Sequence, residues 1–155
     1  MIGNIIDILI ATKAKESLFQ IEEANIIKNK GILGDRYFNE LGSFSEKLKD
    51  KEDFHVTLIE IEEIDAFNKL TGLNYKNEIF RRNLVTKGMK LNNLVGKEFE
   101  INGVKLLGMR LCEPCKMLSN MIGDEFLTKM IHKAGLRAKV LASGDVRVGD
   151  TIKCH

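Results

Sequence analysis

The sequence has no tryptophan, one proline and only three cysteines in 155 residues. Without tryptophan, and with few aromatics of any kind, it offers no stacking platform for single-stranded nucleic acid. An odd cysteine count fits a reducing compartment better than a disulfide framework, so a cytoplasmic setting is expected. Excess charge of one sign is also missing: 24 basic residues face 22 acidic ones, for a formal charge of +2. A balance that close gives no whole-chain field to gather a nucleic acid. No apolar run is long enough to span a membrane. The apolar start MIGNIIDILIA carries Asp7 and lacks the basic lead of a signal peptide. Neither nucleic acid nor membrane is therefore an expected partner. Internal repeats, low-complexity tracts and Pro/Ser-rich linkers are absent. A chain of this length fits one domain, residues 1–155, burying about 70% of its unfolded surface without a staple.

Short runs rich in Ile, Val and Leu recur at residues 5–11, 54–59, 99–101, 104–111 and 136–141. Each is bounded by Gly, Asn or charged clusters, which is the strand pattern. Asn102-Gly103, between two of these runs, predicts a two-residue hairpin, because Asn-Gly tolerates the positive φ angles of a type I′ turn. Ser143-Gly144-Asp145 and Val148-Gly149-Asp150 punctuate a further series of short strands. Two segments read as helices. Over 61–70, Ile61, Ile64, Phe67 and Leu70 recur every three residues and Gly72 follows as a stop. Over 124–134, Phe126, Leu127, Met130, Ile131 and Ala134 share a face, with Asp124 as cap and Gly135 as stop. The expected fold is mainly β with a few helices, a closed or partly closed β-barrel. Residues 39–53 (NELGSFSEKLKDKED) have little to anchor in a core. They read either as a surface loop or as a lid over a site.

The stretch with most chemistry is RLCEPCKML, residues 110–118, which follows a strand and leads into apolar residues at helical spacing. Pro114, the only proline, stops the strand and fixes a turn. Cys115 then falls near a helix start, where free backbone N–H groups favour a thiolate. A thiolate is the form that attacks sulfur or binds a soft metal. Cys112 and Cys115 make a lone CxxC. A zinc site wants a second pair or histidines at ligand spacing, and only Cys154, His155, His55 and His132 remain. Cys112 reads as a small buried hydrophobe. RRNLVTKG, residues 81–88, brings Arg81, Arg82 and Asn83 together, either as a solvated charged turn or as a phosphate-binding group. GILGDRY, residues 31–37, lacks the spacing of a P-loop and reads as a tight turn in which Asp35 could orient Arg36. His55 leads a strand and reads as structural. No paired-carboxylate or Ser/His/Asp arrangement is visible.

GILGDRY at 31–37, HVTLIEIEEI at 55–64, the long run from RRN to CEPC at 81–115 and GLRAKVLASGDVRVGD at 135–150 together resemble the MOSC family, the C-terminal domain of molybdenum-cofactor sulfurases. The resemblance implies a β-barrel with peripheral helices, and a small stand-alone bacterial type. It places the family's invariant cysteine on Cys115, as a thiolate ligand to molybdenum or as a sulfur carrier holding a persulfide. It places Arg81, Arg82 and Asn83 near the pterin phosphate of the molybdenum cofactor (molybdopterin), with Asp35 and Arg36 as further cofactor-binding candidates. Implied partners are a molybdenum-pterin or a sulfur donor such as a cysteine desulfurase. Implied activities are reduction of N-hydroxylated compounds or sulfur insertion. Two departures matter. Tyr37 stands where many members have histidine, and the pyridoxal-phosphate domain of full sulfurases is absent. With no flavin or iron–sulfur motif, a reductase role needs an external redox partner. A barrel kept as a scaffold, without chemistry, is the third reading.

Overall fold

The structure is a computed structural model and describes residues 1–155. Its strands are β1 (Ile2–Ile10), β2 (Phe19–Gln20), β3 (Glu23–Ile27), β4 (Gly31–Ile32), β5 (Val56–Glu60), β6 (Leu84–Lys87), β7 (Glu98–Ile101), β8 (Val104–Leu111), β9 (Leu136–Ala142), β10 (Gly144–Arg147) and β11 (Thr151–Lys153). Its helices are α1 (Ser45–Leu48), α2 (Ile61–Thr71), α3 (Lys116–Ile122) and α4 (Glu125–Lys129). Seven strands run in the order β11-β7-β8-β9-β5-β6-β1, and β1 pairs back onto β11. The barrel is closed, as expected. Only β5 and β6 are parallel neighbours, and a parallel pair needs a crossover, supplied here by α2 and the 3₁₀ turn Asn77–Phe80. Strands β10, β3 and β4 form a separate small sheet. No helix is long and apolar enough to cross a membrane.

The hairpin between β7 and β8 turns on Asn102 (φ 47°) and Gly103 (φ 84°), the two positive angles that a type I′ turn demands. α2 matches the predicted segment to within a residue and ends at left-handed Gly72. Strand alternation sorts the apolar side chains into two cores. Ile5, Ile8, Val56, Leu58, Leu84, Leu106, Leu136 and Ala138 fill the barrel. Leu9, Ile59 and Val85, on the outer wall, pack instead under Phe67, Phe80, Leu118 and Phe126 from the helical side. Each fully buried side chain of this size contributes about 1.5–3 kcal/mol. A bulge in β1 between Ile5 and Asp7 lets Ile5 and Ile8 both point inward, which strict alternation forbids.

The second helix is shorter than its periodicity predicts. α4 stops at Lys129, and the backbone turns left-handed at His132 (φ 58°). Glu113 accepts hydrogen bonds from the His132 amide (3.2 Å) and pairs with its Nδ1 (2.9 Å), so a tertiary contact ends the helix. Met130 and Ala134 stay buried while Ile131 faces solvent. Residues 39–53 are anchored. Leu48 of α1 is buried, Glu52 pairs with Lys139 and Asp53 with Arg110 on the outer barrel wall. Gly42 packs so tightly on Tyr37 that a Cβ there would lie 2.6 Å from the ring.

His55 is buried and its Nδ1 accepts the Val140 amide at 3.1 Å, so the neutral ring carries its proton on Nε2. Burial holds its pKa below the usual histidine range, against a partial pull from Glu52 and Asp53 and with a push from Lys139. The unfolded chain takes up this proton near pH 6.5, roughly, whereas the folded chain resists it. Stability is therefore full above that pH and is lost as pH falls toward the folded value. His55→Asn keeps an acceptor for Val140 and removes the titration. Its unfolding midpoint should fall less steeply than that of the wild type between about pH 7 and about pH 5. Equal slopes would assign the acid sensitivity to other groups.

Candidate functional site

A narrow cleft of about 60 Å³ lies between the outer barrel wall, the 39–53 segment and the start of α3, with Cys115 and four arginines, Arg36, Arg81, Arg82 and Arg137, in its lining. It is outside the barrel because Thr57 and Arg137, directly opposite each other on β5 and β9, alternate with the inward-facing Leu58, Leu136 and Ala138. Ser43 and Phe44 cover it from the 39–53 segment. That segment thus forms part of the wall of the cleft.

Each cationic side chain reaches the cleft for a local reason. Arg81 closes the 3₁₀ turn in a left-handed conformation (φ 57°), which costs a non-glycine residue about 1 kcal/mol or more. Neighbouring side chains on an extended strand point to opposite faces. The left-handed residue breaks that alternation, and both Arg81 and Arg82 line the cleft. Arg81 donates to the Glu16 carbonyl (2.6 Å) and Arg82 to the Ala134 carbonyl (2.8 Å). Arg36 donates to Asp35 (3.0 Å) and to the Arg81 carbonyl (3.1 Å), with its guanidinium 4.9 Å from the centre of the Tyr37 ring. Burial, and next the Arg36 charge, hold Arg81 below the usual arginine range; it remains a cation. Four guanidiniums outnumber the single carboxylate of the lining, Glu113, and that positive balance suits an anion.

Cys115 occupies the N-cap position of α3, half-buried, and packs against the outer core. The Glu113 contacts to His132 hold one side of its turn, and the Cys112 amide donates to the Gly135 carbonyl (2.8 Å) on the other. Cys112 is 1% exposed and lies in the core. All three cysteines are free. No group of three or more His, Cys, Asp or Glu side chains is arranged to hold a metal.

The tertiary structure thus gathers Arg36, Arg81, Arg82 and Cys115 from three distant segments. Asp35 and Asn83 are not in the lining. Asp35, 1% exposed, accepts from the amides of Ala11 (3.3 Å) and Tyr37 (3.2 Å) as well as from Arg36. Asn83, fully buried, accepts from the Thr57 amide (3.1 Å) and hydroxyl (3.0 Å) and donates to the Leu9 carbonyl (3.1 Å). Both hold the wall from behind. Sequence reading missed Arg137, Glu113 and Thr57. In LRAKV the alternation marks Arg137 as outward-facing, but nothing local says which outer wall is covered. A wider trough of about 660 Å³ adjoins the cleft through Arg81 and Met117 and adds Lys15, Lys116, Asn120 and Met121.

A comparison with curated protein sequences finds no match. Among solved structures, the chain is similar to the YuaD protein from Bacillus subtilis (TM-score 0.81, 20% identity, 98% of this chain and 94% of that one). It is also similar to YiiM from Geobacillus stearothermophilus (TM-score 0.74, 12% identity, 99% and 75%). A third likeness is to YiiM from Escherichia coli (TM-score 0.72, 18% identity, 100% and 70%). Identities this low speak to the shared fold. The sequence itself carries the family: the MOSC domain model matches residues 45–153, a span that takes in β5 through β11, the paired arginines and the cysteine turn. On that match, the chain belongs to the MOSC domain family.

Proposed function

We propose that this protein binds molybdenum cofactor with the Cys115 thiolate as a metal ligand, and that it supports reduction of N-hydroxylated compounds with electrons from an external partner. The observation that carries the reading is one soft thiol and four guanidiniums opening into a single small cleft. The residues fit the group. A thiolate suits a soft metal centre, and the buried Nε of Arg137 has no partner within the protein. The cleft alone is far smaller than a pterin, but the adjoining trough is open and basic, with Lys15, Arg81 and Lys116 to meet a phosphate. When bound, the cofactor supplies the redox chemistry, and the protein supplies binding and electrostatics. Asp35 holds Arg36 in place, and Ser43 and Phe44 complete the lining that contains the thiol. Three free cysteines suit a reducing cytoplasm.

A sulfur-carrier role, with a persulfide on Cys115 received from a cysteine desulfurase, is the second reading. The size of the cleft favours it, since about 60 Å³ suits a few atoms rather than a large ligand. One experiment separates the two. Wild type and Cys115→Ser are purified from a cofactor-producing host and assayed for molybdenum, then incubated with a cysteine desulfurase and weighed intact. Molybdenum in the wild type alone supports the first reading. One added, reductant-labile sulfur in metal-free wild type alone supports the second. Wild type and variant indistinguishable in both assays would sink both readings.

A further inference from the structure

We propose that Arg137 is the anion-receiving residue of the cleft, gripping an oxoanion or carboxylate of the ligand beside the Cys115 thiol. The proposal rests on Cys115 as the reacting residue and deepens that reading by assigning the ligand's charge to one side chain. Arg36, Arg81 and Arg82 each donate to an oxygen of the protein. Arg137 does not: its Nε is buried and has no hydrogen-bond partner. The neighbouring carboxylates each bind another group, and Asp53 keeps one buried oxygen, Oδ1, without a partner. On β8, directly opposite Arg137, Arg110 binds Asp53. Glu52 binds Lys139, Glu113 binds His132 and Asp35 binds Arg36. On the other side its cross-strand neighbour is Thr57, whose hydroxyl donates to Asn83.

An unpaired buried donor is costly, and more so when charged. The fold keeps this one in the lining that also holds Cys115. A ligand oxyanion recovers that cost through the paired N–H groups of the guanidinium edge, a geometry matched to carboxylates and oxoanions. A neutral ligand would leave it unrecovered. The small volume of the cleft confines the contact to a compact anionic group.

Alkylation of Cys115 tests this without any cofactor. Full-length protein, reduced and made in a host that does not produce molybdenum cofactor, is treated with iodoacetate or with neutral iodoacetamide. In both cases the thiolate sulfur displaces iodide, and peptide mass analysis follows Cys115 alone. The wild type should show an iodoacetate-to-iodoacetamide rate ratio about tenfold above that of a free thiol, as electrostatic recruitment predicts. Arg137→Gln should lower that ratio about fivefold, slowing the anionic reagent more than the neutral one, and Arg137→Lys, with charge but no fork, should lie between. A ratio unchanged in the Gln variant overturns the proposal. So does an equal fall in both rates, which would make Arg137 a residue of access or fold. Should the Gln variant not fold, the Lys variant decides: a ratio below that of the wild type supports the proposal, and an unchanged ratio overturns it. Absence of molybdenum from the protein bears on the metal reading alone and leaves these rates unaffected.

Discussion

Asp35→Ala is expected to lower stability by about 3–5 kcal/mol, the usual result of removing one partner from a buried ion pair. Asp35 and Arg36 are 1% and 4% exposed, so the orphaned guanidinium keeps the Arg81 carbonyl as its one protein partner. It would also sit beside Arg81, whose pKa already registers the Arg36 charge. Two backbone donors, the amides of Ala11 and Tyr37, lose their acceptor in the same step. Asp35→Asn keeps much of the shape and one acceptor oxygen, and should cost less while still deleting the charge. Urea midpoints measure both, and they decide between roles. A residue that merely touched a ligand would leave the midpoint of the free protein where it was.

The second large effect is expected at Asn83. This residue enters β6, the strand between β5 and β1, and its side chain reaches both neighbours. Its amide behaves as an extra backbone unit, accepting from Thr57 and donating to Leu9. Asn83→Ala strips partners from buried groups on two strands and should cost about 3 kcal/mol or more, at 1–3 kcal/mol for each group left unpaired. Asn83→Asp should be worse, because the donor facing the Leu9 carbonyl becomes a fully buried anion. Thermal unfolding of the two variants gives the order. An Asn83→Asp variant as stable as the wild type would mean that the flanking strands pair without this link. Because Thr57 lines the cleft and Arg82 precedes Asn83, a weakened link should also loosen the site.

Asp35 and Asn83 stand in motifs that also contain cleft residues, and a motif does not say which of its members face the ligand. Direction came from the fold: the left-handed turn at Arg81 sends Arg81 and Arg82 to the cleft and leaves Asn83 in the wall. The 124–134 segment is a similar case. Its apolar spacing is genuine, since Phe126, Met130 and Ala134 are all buried, but the contact from Glu113 halts the helix early, and that contact comes from a residue 19 positions away. Nothing in the sequence marks Arg137, because an outward-facing arginine on a strand is ordinary until something covers it.

The sequence alone determined the strand-rich class, the Asn102-Gly103 hairpin, α2 and the helix start at Cys115. Each of these depends on local periodicity or on the φ preferences of single residues, which neighbours in the chain express directly. The tertiary structure decided that the cleft lies on the outer wall of the barrel, that Ser43 and Phe44 line it and that Arg137 joins it with its Nε unpaired. It also decided that Asp35 and Asn83 serve the wall from behind. These facts depend on barrel closure, on a one-residue bulge that resets the facing of β1, and on ion pairs between distant segments. Such contacts exist only once the chain has closed on itself, and no window of sequence contains both of their partners.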